Sequence, residues 1–280
     1  MKVAVTGASG FVGRHVLAEL RKYDVEIVAI SRDATRLNDL GRDVHVVEMD
    51  IAGSALDSFN ILGKPDVLIH LAWDGLPNYK SLHHFETELP RHYQFLKNMV
   101  ESGLASMIIT GTCFEYGMQS GMLSETMPTK PTNPYGYAKD SLRQQLEYLK
   151  TIMPFNLTWG RLFYMYGEGQ PNSSLYPMLK AAVSRGEKIF NMSGGEQLRD
   201  YLPVVEVSRK IVQLAMKPRD MELVNICSGK PISVRRLVEQ WLSENNWNIK
   251  LNLGYHPYPE YEPMAFWGEL SNYNKENLLK

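Results

Sequence analysis

Thr6-Gly7-Ala8-Ser9-Gly10-Phe11-Val12-Gly13 stands between an apolar run, Lys2 to Val5, and a stretch of helical pattern, His15 to Lys22. Glycines in such a turn allow a tight bend, close approach of the backbone to an anion, and close contact between helix and strand. The start of the helix presents free N–H groups to a pyrophosphate. The spacing is G-x-x-G-x-x-G. Three glycines can serve a turn and nothing more, but a strand before and a helix after them give the context that a dinucleotide site requires.

Outward from this loop, apolar runs with β-branched residues recur at Val25 to Ile30, Val44 to Val47, Val67 to Leu71 and Met107 to Thr110, with helix-like stretches between most of them. Short apolar strands alternating with helices imply a parallel sheet covered on both faces. From about Gly167 the pattern changes to helices near Leu175 to Arg185, Val205 to Met216 and Val234 to Asn245. The expected fold is α/β, a doubly wound Rossmann parallel sheet with a smaller C-terminal α/β lobe. Residues 1–166 form the NAD(P)-binding part and 167–280 mainly the substrate lobe, an approximate boundary that segments are free to cross. The stretch Gly254 to Gly268 is aperiodic and reads as a loop packed on the body.

Composition excludes other classes. Hydrophobic residues at 44% and charged residues at 22% describe a globular chain, and a formal net charge of −1 provides no field to recruit nucleic acid. Two cysteines, Cys113 and Cys227, are too few for a disulfide framework, and no Cys/His metal cluster is visible. No apolar run approaches the roughly 20 residues of a membrane span, and the N-terminus has no leader-like segment. A cytoplasmic protein with no membrane or nucleic-acid partner and no metal is expected.

The second strand ends in Ser31-Arg32, where an NAD-preferring site places an acidic side chain on the ribose. A hydroxyl and a guanidinium suit a 2′-phosphate, so NADP(H) is favoured, with NAD(H) possible. Arg32 otherwise stands in solvent or stacks on the adenine. Asp50-Ile51, closing the third strand, meets the adenine, or Asp50 caps a helix.

Asn133-Pro134-Tyr135-Gly136-Tyr137-Ala138-Lys139 opens a helix that continues through Leu142, Leu146 and Leu149. Tyr135 and Lys139, four apart, share one face, and an ammonium near a phenol favours the phenolate. Tyr137 is the competing phenol but has no lysine four residues on. Met107 to Thr110 runs into Gly111-Thr112-Cys113-Phe114, which sets the Thr112 hydroxyl at the carboxyl end of a strand, where open α/β sheets bind ligands. Its other reading is to satisfy backbone groups in a turn. Cys113 has no neighbouring histidine to activate it and reads as a small buried hydrophobe.

Together these pieces resemble the extended short-chain dehydrogenase/reductases of nucleotide sugars, which include UDP-galactose epimerases, sugar-nucleotide dehydratases and 4-keto reductases. The resemblance covers the phosphate loop, His70-Leu71-Ala72-Trp73, Thr112 to Gly117, Tyr135/Lys139, Arg161 to Gly167, Arg199-Asp200-Tyr201 and Asn225 to Gly229. It implies a catalytic trio of Thr112, Tyr135 and Lys139. It implies a cofactor site of Gly7, Ser9, Gly10, Phe11, Val12, Gly13, Ser31, Arg32, Asp50, Ile51, Leu71, Ala72, Trp73 and Thr110, together with Tyr135 and Lys139. On the substrate side it implies Trp73, Thr112, Cys113, Phe114, Tyr164 and Arg199. Arg199 pairs with a substrate diphosphate in this reading; the alternative is a salt bridge to Asp200 or a neighbouring acid.

Departures from the family pattern narrow the expectation. Where dehydratases carry an Asp-Glu pair, this chain has Cys113 and Phe114, so the acid and base of dehydration are missing. Tyr164 replaces the usual Asn and Trp73 the usual Ala. The resemblance implies an NAD(P)H-dependent reductase of a nucleoside-diphosphate 4-keto-6-deoxyhexose, such as dTDP-4-dehydro-6-deoxyglucose, yielding a 6-deoxysugar nucleotide for cell-surface polysaccharide. The alternatives are a UDP-sugar 4-epimerase and a non-catalytic NADP(H)-binding protein. A homodimer through helices around Phe85 to Ser102 and Tyr135 to Leu149 is part of the same expectation.

Overall fold

A computed structural model describes residues 1–51, 53, 57–217 and 222–270. The chain runs β1 (Lys2–Thr6), α1 (Phe11–Leu20), β2 (Glu26–Ser31), β3 (Val44–Glu48), α2 (Ser58–Ile61), β4 (Val67–His70), α3 (Leu89–Glu101), β5 (Ser106–Thr112), β6 (Gly121–Leu123), α4 (Pro134–Ile152) and β7 (Asn156–Leu162). It continues through β8 (Tyr164–Tyr166), α5 (Leu175–Ser184), β9 (Ile189–Asn191), β10 (Leu198–Arg199), β11 (Tyr201–Pro203), α6 (Val204–Met216), β12 (Glu222–Ile226), β13 (Ile232–Ser233), α7 (Val234–Glu244), β14 (Lys250–Asn252) and β15 (Phe266–Gly268).

Seven strands form one sheet in the order β12-β7-β5-β4-β1-β2-β3, every neighbouring pair parallel. Strand alternation sorts its side chains onto two faces. Val3, Val5, Ile27 and Ala29 pack with Val16, Leu17 and Leu20 of α1 and Ile211 and Val212 of α6. Ala4, Val28, Leu68 and Met107 pack on the other face with Phe95 and Met99 of α3 and Leu142 and Leu146 of α4. Leu142 and Leu146 are fully buried, and truncating either to Ala removes on the order of 3 kcal/mol. The chain leaves β1 for β2 on one side while β4 flanks it on the other, and a crevice opens where the winding reverses.

Two strands of this sheet, β7 and β12, were not foreseen. Arg161 lies within β7 and interrupts the apolar run by which a buried strand is recognised. Folding tolerates it because the Glu115 carboxylate accepts the Arg161 Nε–H at 2.6 Å. After residue 167, α5, β9, α7 and β14 gather around Leu179, Phe190, Val238 and Trp241, while α6 and β12 return to the sheet. The 254–268 stretch is mostly irregular but ends in β15, which pairs with β6. No helix among the described residues is long and apolar enough to cross a membrane.

Candidate active site

At the crevice, Gly7 takes φ +67°, and a Cβ there would lie 2.8 Å from the Ala72 amide nitrogen. A Cβ on Gly13 would lie 2.2 Å from the Gly7 carbonyl oxygen. The first glycine lets the turn meet the β4 loop; the third lets α1 close on the turn. The cleft between them holds about 420 Å³. Gly7, Ser9, Gly10, Ser31, Arg32, Asp50, Ile51, Leu71, Ala72 and Trp73 all line it, so the structure brings these expected residues together. Phe11, Val12 and Gly13 form the first turn of α1 at its edge. Ser31 Oγ donates to the Asp33 carbonyl at 2.8 Å and shares a 3.0 Å hydrogen bond with Ser9 Oγ. The exposed Arg32 guanidinium rests on Asp74 at 3.0 Å. A turn without room for a side chain, a free helix start and a cleft of this size fit a dinucleotide.

The catalytic candidates lie beside it. Asn133 Oδ1 accepts the Gly136 amide at 2.8 Å and Pro134 occupies the first turn, so α4 starts where its sequence directs. Tyr135 and Lys139 are buried on one face, whereas Tyr137 is 53% exposed. Thr112 ends β5. Its Oγ accepts the Phe114 amide, and its own amide donates to Glu115 Oε1 at 2.9 Å. Thus Thr112 also serves the turn, and Glu115, which sequence reasoning passed over, fixes its backbone.

Burial pushes the Tyr135 phenol well above its usual pKa, as do Tyr79, Glu115 and Cys113, against a hydrogen bond with Thr112 that lowers it. The phenol is therefore protonated. Burial pulls the Lys139 ammonium down to about 7, against the raising effect of Glu115 and Glu88. Lys139 Nζ donates to the Thr110 carbonyl at 3.0 Å and sits 4.0 Å from the centre of the Trp73 ring. The Cys113 thiol is pushed far up by burial and is no nucleophile at neutral pH.

Glu88, Arg91, His92, Asp33, Arg36 and Asp74 also line the cleft and were missed. Glu88, His92 and His70 form a buried chain. His92 Nε2 and Glu88 Oε2 are 3.1 Å apart, His70 Nε2 and His92 Nδ1 2.7 Å, and Thr6 Oγ1 and His70 Nδ1 2.9 Å. Burial holds both imidazoles below their usual pKa, so they are neutral. Burial alone would raise the Glu88 carboxyl; hydrogen bonds from His92 and the Asp74 amide, with the attraction of the His92 and His83 side chains in acid, bring it to about 2.

A second cavity, of about 590 Å³, is walled by Tyr79, Tyr164, Tyr166, Tyr201, Trp241 and Tyr261. The Tyr79 ring centre lies 5.7 Å from that of Tyr135 and 4.8 Å from that of Phe114, so this cavity adjoins the Tyr135 phenol. Arg199 is buried near it. Its Nε and Nη2 donate to Glu262 Oε2 at 3.1 and 2.7 Å, and its Nη1 to the Leu198 and Met264 carbonyls at 2.8 and 3.3 Å. Tyr164 donates its hydroxyl to the other Glu262 oxygen. Asp200 is not the partner of Arg199; it accepts the amides of Ser228 and Gly229 at 2.7 and 2.9 Å.

Comparison with known proteins agrees with this geometry. The model of the NAD dependent epimerase/dehydratase family matches residues 3–227. The chain is 32% identical over 270 residues to a dTDP-6-deoxy-L-talose 4-dehydrogenase (NAD(+)) of Aggregatibacter actinomycetemcomitans, covering 96% of this chain and 99% of that protein. A GDP-6-deoxy-D-talose 4-dehydrogenase of the same organism is 26% identical, covering 90% and 83%. Among solved structures, a UDP-N-acetylglucosamine 4-epimerase from Methanobrevibacter ruminantium M1, in complex with UDP-N-acetylmuramic acid, superposes with a TM-score of 0.84 at 22% identity, covering 98% and 91%. With the family model spanning both the phosphate loop and the Tyr135/Lys139 helix, the chain belongs to the NAD-dependent epimerase/dehydratase family and is an enzyme of that family.

Proposed function

We propose that the protein reduces the 4-keto group of a nucleoside-diphosphate 4-keto-6-deoxyhexose, dTDP-linked, to the 6-deoxysugar nucleotide. The observation that carries this reading is the buried, protonated Tyr135 phenol beside Thr112, with Cys113 and Phe114, which offer no acid–base pair for dehydration, next to them. Kinship over its whole length to a dTDP-6-deoxy-L-talose 4-dehydrogenase supports the same substrate class, since a 4-dehydrogenase run backwards is a 4-keto reductase.

A bound nicotinamide dinucleotide supplies the hydride. Tyr135 gives its proton to the developing alkoxide at C4, and Thr112 orients the carbonyl by its hydroxyl. Lys139, charged at pH values below its lowered pKa, stabilises the phenolate left behind. The second cavity receives the sugar nucleotide against its tyrosine faces. A diphosphate reaching Arg199 there exchanges with the Glu262 carboxylate.

NADP(H) is the proposed cofactor ahead of NAD(H), because Arg32 and Arg36 border the cleft next to Ser31 and suit a 2′-phosphate. The talose dehydrogenase relative is named for NAD(+), so both reduced cofactors belong in the assay. Absorbance at the reduced nicotinamide band is followed after adding enzyme to freshly made dTDP-4-keto-6-deoxyglucose. Consumption, faster with NADPH, is expected. No consumption with either cofactor, together with interconversion of UDP-sugars, would replace the reductase by an epimerase.

A further inference from the structure

The segment entering α3 leaves the α-helical repeat: His84–Glu88 is a single π-turn. π-turns are rare and gather at functional sites. This one brings its first and last residues onto two consecutive residues of the β4 loop. His84 Nδ1 accepts the Trp73 indole N–H at 3.1 Å, and Glu88 Oε2 accepts the Asp74 amide at 3.0 Å. An indole only donates, so the His84 proton must be on Nε2, which donates to the Asn78 carbonyl at 2.9 Å. His84 is fully buried, and both its nitrogens are used.

The same logic orders the chain through Glu88. A carboxylate only accepts, so His92 donates to it through Nε2 and accepts from His70 at Nδ1. His70 in turn accepts the Thr6 hydroxyl proton, and the Thr6 oxygen accepts the Leu71 and Ala72 amides at 3.2 and 3.3 Å. One acceptor therefore fixes every proton from the amides beside Gly7 to the carboxylate beneath Asp74. Trp73 is caught in this frame: its ring stacks on His92 at 4.5 Å and 20°, and the Lys139 ammonium lies 4.0 Å from its centre.

We infer that His84 is a positioning residue for the dinucleotide: by holding the Trp73 indole N–H it fixes the ring that forms one wall of the cleft and seats the Lys139 ammonium. The inference rests on reading the cleft as a dinucleotide site, but not on the identity of the sugar. His84 is separated from Trp73 by 11 positions and itself lines neither cavity. Its ring also packs 5.3 Å from that of Tyr135, so acceptor and ring must be tested apart.

Two variants separate them. His84→Phe keeps a ring and loses the acceptor; His84→Asn keeps an acceptor near the Nδ1 position and loses the ring. Dissociation constants for NADH and NADPH are read from nicotinamide fluorescence. Losing one hydrogen bond is expected to weaken binding about fivefold in His84→Phe, with His84→Asn staying within about twofold of the parent. Parental affinity in His84→Phe, or equal weakening in both variants, overturns the inference, the second outcome because ring packing then suffices. Trp73→Phe, alone and with His84→Phe, closes a double-mutant cycle that guards against misfolding. The two losses should not add; full additivity also overturns it. If the parent binds neither dinucleotide, the cofactor reading falls and takes the inference with it, whereas dinucleotide binding without sugar turnover removes only the proposed substrate.

Discussion

Tyr135 is protonated for a physical reason: it is 8% exposed, and burial, with Tyr79, Glu115 and Cys113 nearby, disfavours a phenolate there. A reductase needs that proton at the moment the carbonyl becomes an alkoxide. Tyr135→Phe is therefore expected to lower kcat for keto-sugar reduction about 10²- to 10⁴-fold while cofactor affinity changes less than about twofold. Turnover left intact by this change would remove the phenol from the mechanism. Thr112, Tyr135 and Lys139 were legible because short, local spacings place them: a strand end, and two positions one helical turn apart. His84, His92 and Glu88 were not. Each acquires its role from a partner in another segment, and a histidine in an apolar stretch says nothing about which nitrogen will find a donor. Glu262 is the extreme case, 63 positions from the arginine it neutralises.

Among the elements, the π-turn and α3 carry a pH dependence that can be worked out. The Glu88 carboxyl falls from the usual 4.5 to about 2 in the folded chain. A carboxylate whose folded pKa is depressed adds stability that is present above the unfolded value and disappears as the pH falls through the folded one. Urea melts between pH 5 and 2 should thus show the parent losing on the order of 2 kcal/mol more than Glu88→Gln over that window. Parallel curves would mean that the histidine chain contributes nothing to folding. Strand recognition shows the same division between local and distant causes. β1, β2, β4 and β5 announce themselves by apolar, β-branched runs, whereas β7 carries Arg161 near its end and holds as a buried strand because Glu115, from another part of the chain, accepts both the Arg161 Nε–H and the Trp159 indole N–H.

Across the whole molecule, the ion pair of Arg199 and Glu262 ties the 254–268 stretch to the body. Both side chains are almost fully buried. Removing one partner of such a pair leaves the other charge without compensation. Glu262→Ala should cost on the order of 3 kcal/mol in thermal or urea unfolding, with a smaller loss in Glu262→Gln, which keeps an acceptor. A Glu262→Ala protein that melts with the parent would show the pair to be neutral in net effect. No sequence pattern pointed to this tie, since the stretch has neither helical nor strand period and its single short strand, β15, depends on β6 for pairing.

The distribution of the two cavities along the chain has a consequence for synthesis. All the residues that line the cofactor cleft lie between Thr6 and His92, whereas the adjoining cavity needs Tyr164, Tyr201, Trp241 and finally Tyr261. Chains emerge from the ribosome N-terminus first, at about 5–20 residues per second. A nascent chain thus exposes every residue of the first cleft many seconds before the wall of the adjoining cavity exists, so the two cavities are completed one after the other in the course of synthesis.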